Sequence, residues 1–109
     1  MKAQAISGAG ESGGTGVSRV EHLRVSDLSV GTYSIPVGGT DNQDPHTEDE
    51  IYLVTAGRAV LESGGDRIAV RPGSVIYVPA GEVHRFAEIA EDLAAIVVFA
   101  PAEYSRAQV

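Results

Sequence analysis

Residues 38–57 read GGTDNQDPHTEDEIYLVTAG, the most informative stretch of the chain for its fold. It begins and ends with glycine, and between the glycines it places Asp44, His46 and Glu50 at fixed offsets. Its last part, EIYLVT, is β-branched and aromatic, which is typical of a strand. The pattern therefore predicts a turn that carries a histidine and leads into a strand with a glutamate near its start.

A second stretch, residues 73–88, reads GSVIYVPAGEVHRFAE: an apolar strand, a Pro-Ala-Gly turn and then His84. Fifteen residues, 58–72, separate the two stretches. Imidazole nitrogens and carboxylate oxygens are donors that iron, manganese, nickel, zinc and copper accept in proteins. We predict that His46, Glu50 and His84 bind one divalent transition metal and leave positions open for a substrate.

Together the two stretches resemble the two signature motifs of the cupin superfamily, Gly-x5-His-x-His-x3/4-Glu-x6-Gly and Gly-x5-Pro-x-Gly-x2-His-x3-Asn. Every spacer fits, and the short gap between the motifs is typical of small single-domain cupins. Two positions depart from the pattern, since Asp44 stands in place of the first histidine and Glu88 in place of the asparagine. The resemblance covers residues 29–101 and implies an all-β fold, the double-stranded β-helix or jelly roll of the cupin barrel.

Asp44 has two interpretations. In the slot of a fourth metal ligand, its carboxylate can coordinate a hard divalent cation. Alternatively, it caps the turn before Pro45 or holds the ring N–H of a ligand histidine. The neighbouring Gln43 is a further polar group that can reach inward. The pattern does not choose between ligation and support.

Period-two alternation predicts which side chains line the cavity. Glu50, Tyr52 and Val54 share one face of their strand, and Ile51 and Leu53 share the other. If Glu50 points inward, the first set lines the barrel and the second packs outside, against another sheet edge or a partner subunit.

Tyr52 and Tyr33 are the predicted catalytic residues. Both are expected to pack in the cavity, where a tyrosine hydroxyl can bind a substrate or act as a general acid. In the acidic run before the first strand of the motif, Glu48 and Asp49 are expected to be solvated, with only Glu50 facing inward.

The rest of the chain predicts many short strands. From Ser18 onward, extended patterns alternate with turn residues, which indicates an antiparallel sandwich or barrel. Residues 63–66, SGGD, predict a hairpin turn. Residues 88–93 predict a single helical turn or a hairpin loop. Residues 1–17, rich in glycine and serine, predict a flexible N-terminal arm ahead of one cupin domain, residues 18–109.

Composition excludes several classes of function. The 109 residues suffice for one domain, and 15 acidic against 8 basic residues give a net charge of −7, which repels nucleic acid and anionic membranes. There is no cysteine for a disulfide or a thiol nucleophile. No apolar run predicts a secretory signal or a transmembrane helix. We therefore expect a cytoplasmic protein with no nucleic acid or membrane partner.

Three functional hypotheses remain. The first is a metal-dependent enzyme acting on a small organic molecule, for which a dioxygenase-like oxidoreductase takes the largest share beside an isomerase, cyclase or lyase. The second is a non-catalytic module that binds a small molecule or a metal. The third is a structural role in which the motifs serve only as turns.

A homodimer is the predicted assembly. The resemblance implies it because small cupins commonly pair through sheet edges. An open sheet edge is otherwise prone to pairing with other chains. The arm of residues 1–17 is a candidate for extending or exchanging a strand with the partner.

Overall fold

The computed structural model describes Met1, Ala3, Ala5 and residues 17–107. The predicted arm comprises residues 1–17, and its other residues lie outside the described part of the chain. The described part contains six strands and no helix. Accordingly, no helix long and apolar enough to cross a membrane occurs in it. The strands are β1 (Ser18–Arg24), β2 (Ser29–Ile35), β3 (Asp49–Ser63), β4 (Asp66–Val70), β5 (Val75–Val78) and β6 (Arg85–Ala100).

All strand pairs are antiparallel, in the order β1-β2-β6-β3-β4, with β5 also paired to β3. The long strands β3 and β6 pair with each other along most of their length. Residues 50–53 of β3 also pair with β5, whereas residues 59–63 pair with β4. Residues 93–99 of β6 also pair with β2. Two long strands thus pass through both halves of the sheet, which agrees with the expected all-β double-stranded β-helix.

The prediction for residues 88–93 is wrong, because these residues continue β6 instead of forming a helical turn or a loop. The pairing of β3 with β6 shifts register at three points between Val54 and Val60. Extra residues of this kind bend a strand and turn its side chains without ending it. Gly57 and Glu88, in the same region, have positive φ angles of 87° and 49°. In such a bent segment, apolar and polar residues need not alternate with period two, although the strand continues.

The hairpin predicted at residues 63–66 is present. Ser63 pairs with Asp66, and Gly64 and Gly65 both have positive φ. Two such residues form the tight turn whose twist matches that of the flanking strands.

Alternation along β3 places the core as expected. Tyr52 and Val54 are 1% exposed, whereas Ile51 and Leu53 are 42% and 38% exposed. The Tyr52 ring meets two further buried rings at centroid distances of 6.1 and 5.0 Å, those of Tyr33 and Phe86. The buried apolar cluster includes Tyr33, Ile35, Tyr52, Val54, Leu61, Phe86, Leu93, Ala95 and Phe99.

Candidate metal centre

Three buried donors converge at one end of the barrel core. His46 lies in the loop between β2 and β3, Glu50 is the second residue of β3, and His84 directly precedes β6. All three side chains are buried. One ligand atom from each lies within 4.8 Å of the others, so the fold gathers three of the four predicted ligands around one point.

Several polar atoms of these three side chains make no aligned hydrogen bond within the protein. His84 Nε2 lies 2.8 Å and His46 Nδ1 lies 3.5 Å from Glu50 Oε1. Apart from these two ion-pair contacts, His46 Nδ1 and both Glu50 oxygens are buried without an aligned hydrogen bond. A divalent transition metal among them would satisfy the unpaired atoms, so the donor set fits one.

Electrostatics keeps the carboxylate of the group charged. Burial raises the pKa of Glu50, but the rings of His46 and His84 outweigh burial, so that its pKa lies below the ordinary value. For the imidazoles, burial is outweighed by neighbouring carboxylates, which raise the pKa of His46 to about 9 and also raise that of His84. A bound metal would replace the protons on these rings, and the carboxylate of Glu50 would already be ionised.

Asp44, the fourth predicted donor, is exposed and lies outside this group. Gln43 instead faces inward. Its side-chain amide donates to Asp41 Oδ2 at 2.9 Å, and its oxygen accepts from the Tyr52 hydroxyl at 3.2 Å. The loop thus turns Gln43, and not Asp44, toward the interior.

Both predicted catalytic tyrosines belong to one buried hydrogen-bond network. The Tyr52 hydroxyl lies 3.1 Å from His84 Nε2, beside the three donors. The Tyr33 hydroxyl donates to Asp41 Oδ1 at 2.5 Å. Burial raises the pKa of both tyrosines, helped by Asp41 for Tyr33 and by Glu50 for Tyr52. Both hydroxyls therefore hold their protons at neutral pH and act as donors.

Asp41 is a buried carboxylate that the sequence did not indicate. Beyond its bonds with Tyr33 and Gln43, its Oδ2 accepts the backbone N–H of Phe86 at 2.8 Å. Its two oxygens thus accept hydrogen bonds from several donors inside the barrel. Asp41 occupies no ligand position of either motif, so the spacing of the motifs gives no reason to select it.

Glu48 contradicts the expectation that it is solvated, since it is 1% exposed. Its carboxylate accepts the backbone N–H groups of Tyr104 at 2.7 Å and Arg106 at 2.9 Å, and the Thr47 hydroxyl. Glu48 stands in the bend before β3, which begins at Asp49, so strand alternation does not apply to it. The Glu48 carboxylate can be buried because the C-terminal segment, residues 101–107, donates these backbone hydrogen bonds to it.

Two further polar side chains reach the group from outside both motifs. Glu103 Oε2 lies 3.0 Å from His46 Nε2. Arg19 Nη2, from β1, lies 2.7 Å from the same Glu103 oxygen and 2.9 Å from His46 Nε2. Neither residue carries a sequence signal, since nothing local distinguishes it from other surface charges.

Two cavities are lined in part by the loop of residues 41–43. One, of about 430 Å³, is bordered by this loop, by His84 and by the β3–β4 hairpin. The other, of about 350 Å³, is bordered by the same loop, Arg19 and Tyr33. These volumes suit a small organic molecule.

Comparisons with known proteins agree with this geometry. Residues 31–100 match the family model described as a cupin domain. An uncharacterized protein of Streptomyces coelicolor, SCO3923, is 48% identical over 84 residues, which covers 77% of this chain and 80% of that protein.

Solved structures share the fold at low sequence identity. A protein with a double-stranded β-helix domain from Klebsiella pneumoniae superposes with a TM-score of 0.76 at 20% identity, covering 92% of this chain and 91% of that one. KdgF from Halomonas sp. superposes with a TM-score of 0.72 at 22% identity, covering 84% of each chain. At these identities the likeness concerns the fold alone.

Proposed function

The chain belongs to the cupin family, and on that premise we propose that it is a metal-dependent enzyme acting on a small organic molecule. It holds one divalent transition metal through His46, Glu50 and His84. The observation that carries the proposal is the convergence of these three buried donors, with three of their polar atoms unpartnered.

The donor set favours iron, manganese, nickel, zinc or copper. Two imidazoles and one carboxylate leave coordination positions open, and the exposed position of Asp44 supports a set of three protein donors. When bound, such a metal supplies a Lewis acid or a redox centre at the open positions. Because this ligand set resembles that of non-haem iron enzymes, a dioxygenase-like oxidoreductase is the first reaction class to test, before an isomerase, cyclase or lyase.

Tyr52 and Tyr33 are the proposed acid–base residues. The Tyr52 hydroxyl stands 3.1 Å from His84 Nε2, within reach of a molecule held beside the donors. As a protonated donor it can orient a substrate oxygen and deliver a proton to it. Tyr33 lies further along the network, where it orders Gln43 and Asp41 and borders the smaller cavity.

Tyr52→Phe is expected to retain metal and lose turnover. The change removes one hydroxyl, and loss of a positioned general acid costs about 10²–10⁴-fold in rate. Metal content is measured by mass spectrometry on protein purified without a histidine tag. Turnover is measured as oxygen uptake by the iron-loaded protein with a panel of small organic molecules, with isomerase and lyase assays beside it. Tyr77→Phe, on the exposed side of β5, is the matched control. A wild-type rate in Tyr52→Phe, or a wild-type protein that takes up no metal, would contradict the proposal.

A binding module without turnover is the second candidate. The observation that favours it is that each tyrosine hydroxyl of the network already has a partner within the protein. Calorimetry that shows a compound binding to the metal-loaded protein, with no conversion in any of the assays above, would favour the hypothesis of a binding module.

We also propose that two copies of the chain pair through the outer face of β3 and β5. Ile51 is paired with Tyr77 and Leu53 with Val75, so four exposed apolar side chains are cross-strand neighbours. Contiguous exposed apolar patches of this kind commonly mark interaction sites.

Light scattering is expected to give about twice the chain mass of 11.3 kDa for the wild-type protein. Tyr77→Glu introduces a charge at the centre of the patch and is expected to return the mass to that of one chain. Ile68→Glu is the control, because Ile68 is equally apolar and 51% exposed but lies on β4. A wild-type protein with the mass of one chain would refute the pairing.

A further inference from the structure

Each ligand histidine has one ring nitrogen turned away from the other donors. In His84 this nitrogen is Nδ1, which lies 2.9 Å from the carbonyl oxygen of Glu82, while Nε2 faces Glu50. In His46 the roles are reversed, because Nε2 lies 3.0 Å from Glu103 while Nδ1 faces Glu50. Metal-binding histidines commonly donate the second ring N–H to a carboxylate or a carbonyl group, and this holds the ring in place.

Glu103 is held in position by several contacts. Its backbone N–H donates to Ser29 Oγ at 2.9 Å, and its carboxylate receives Arg19 Nη2 at 2.7 Å. Its carbonyl oxygen accepts from Arg24 at 2.8 Å. The buried Glu48 binds the backbone of the residues that follow. The C-terminal segment therefore places one carboxylate against the outer nitrogen of His46, and that side chain is only 15% exposed.

We propose that Glu103 is a positioning residue of the metal centre, which accepts the Nε2–H of His46 and so turns the Nδ1 lone pair toward the metal. This inference rests on the proposed function. His46 would then bind through Nδ1 and His84 through Nε2, each fixed by an acceptor at its opposite nitrogen. The carboxylate that holds the ring N–H of His46 is then Glu103, in the C-terminal segment of residues 101–107, and not Asp44.

Arg19 separates this assignment from the opposite tautomer. With Nε2 protonated, Arg19 cannot donate to His46 and donates to Glu103 alone. In the other tautomer, Nε2 accepts from Arg19, and the proton on Nδ1 points at Glu50 and blocks metal binding there. The two tautomers therefore differ in which ring nitrogen, Nδ1 or Nε2, carries the lone pair that a metal requires.

Cadmium-113 NMR of protein with nitrogen-15-labelled histidine tests the assignment directly. We expect scalar coupling from cadmium to His46 Nδ1 and to His84 Nε2 in the wild-type protein. Coupling to His46 Nε2 would overturn the inference while leaving the metal site intact. Cadmium that couples to neither histidine would refute the proposed function as well.

Cadmium affinity, measured by competition with a chromophoric chelator, supplies the second readout. Loss of an outer-shell partner typically weakens metal binding about 10–100-fold, and this is the effect expected for Glu103→Ala. Glu103→Gln retains an acceptor oxygen and is expected to recover part of the loss. Glu82→Ala is the control, because His84 contacts only the backbone carbonyl of that residue. Wild-type affinity in Glu103→Ala would overturn the inference, and the wild-type NMR result stands independently of whether either variant folds.

Discussion

Glu50→Gln is expected to abolish specific metal binding, with affinity reduced by at least about 100-fold. Among the residues that the structure describes, Glu50 is the carboxylate that faces both His46 and His84. Loss of a residue that only hydrogen-bonds a metal ligand lowers metal affinity about 10–100-fold. Removal of a charged residue that binds the metal directly should lower it more. The substitution nearly preserves the volume of the side chain, so the barrel should still fold.

The affinities of the two proteins for zinc and for iron(II) are measured by chelator competition, with circular dichroism to verify folding. Glu62→Gln is the matched control, since it makes the same chemical change in the same strand. Glu62 contacts Arg67 and Arg85 and lies outside the donor group. Equal metal affinity in Glu50→Gln and the wild-type protein would mean that the metal binds elsewhere.

Gly57→Ala is expected to destabilise the fold by about 3 kcal/mol or more. The residue has φ of +87°, and a left-handed conformation costs a residue with a side chain about 1–2 kcal/mol. An added Cβ would also lie 2.2 Å from the carbonyl oxygen of Asp92 and 2.7 Å from Cα of Leu93. Both are backbone atoms of β6, so relief of the clash requires the two long strands to separate where they bend.

Urea unfolding of Gly57→Ala and Gly73→Ala separates the two contributions. Gly73 has φ of +93°, but an added Cβ there meets nothing within 4 Å. Gly73→Ala should therefore cost only the conformational part, about 1–2 kcal/mol. Equal losses of unfolding free energy in the two variants would show that the contact with β6 has no consequence.

The signature stretches predicted much of the site because their information is local. A glycine ends each turn, alternation decides which side of β3 faces inward, and the offset from turn to strand brings His46 beside Glu50. The expected inward positions of Tyr52 and Val54 were correct for the same reason. The burial of Glu48 had no such local signal, because Glu48 precedes β3 and its carboxylate accepts from the backbone of Tyr104 and Arg106.

Irregular backbone limited the prediction of β6. A strand that bends through register shifts loses its period-two pattern, and the polar residues of the segment 88–93 then suggest a loop. Whether such a segment continues a strand depends on the partner that supplies its hydrogen bonds. Here that partner is β3, about thirty residues earlier in the chain.

The all-β class and the turn positions could be predicted from the sequence because they depend on local geometry, and the two motifs indicated the candidate donors His46, Glu50 and His84 by their spacing. The folded barrel brings His84 beside Glu50. Only the tertiary structure decided that Asp44 lies outside the donor group and that Asp41 and Glu103 stand around it. These contacts join distant parts of the chain, such as Arg19 and Glu103, which are 84 residues apart. No local pattern records them, since they arise only when the barrel closes and the C-terminal segment packs across β1 and β2.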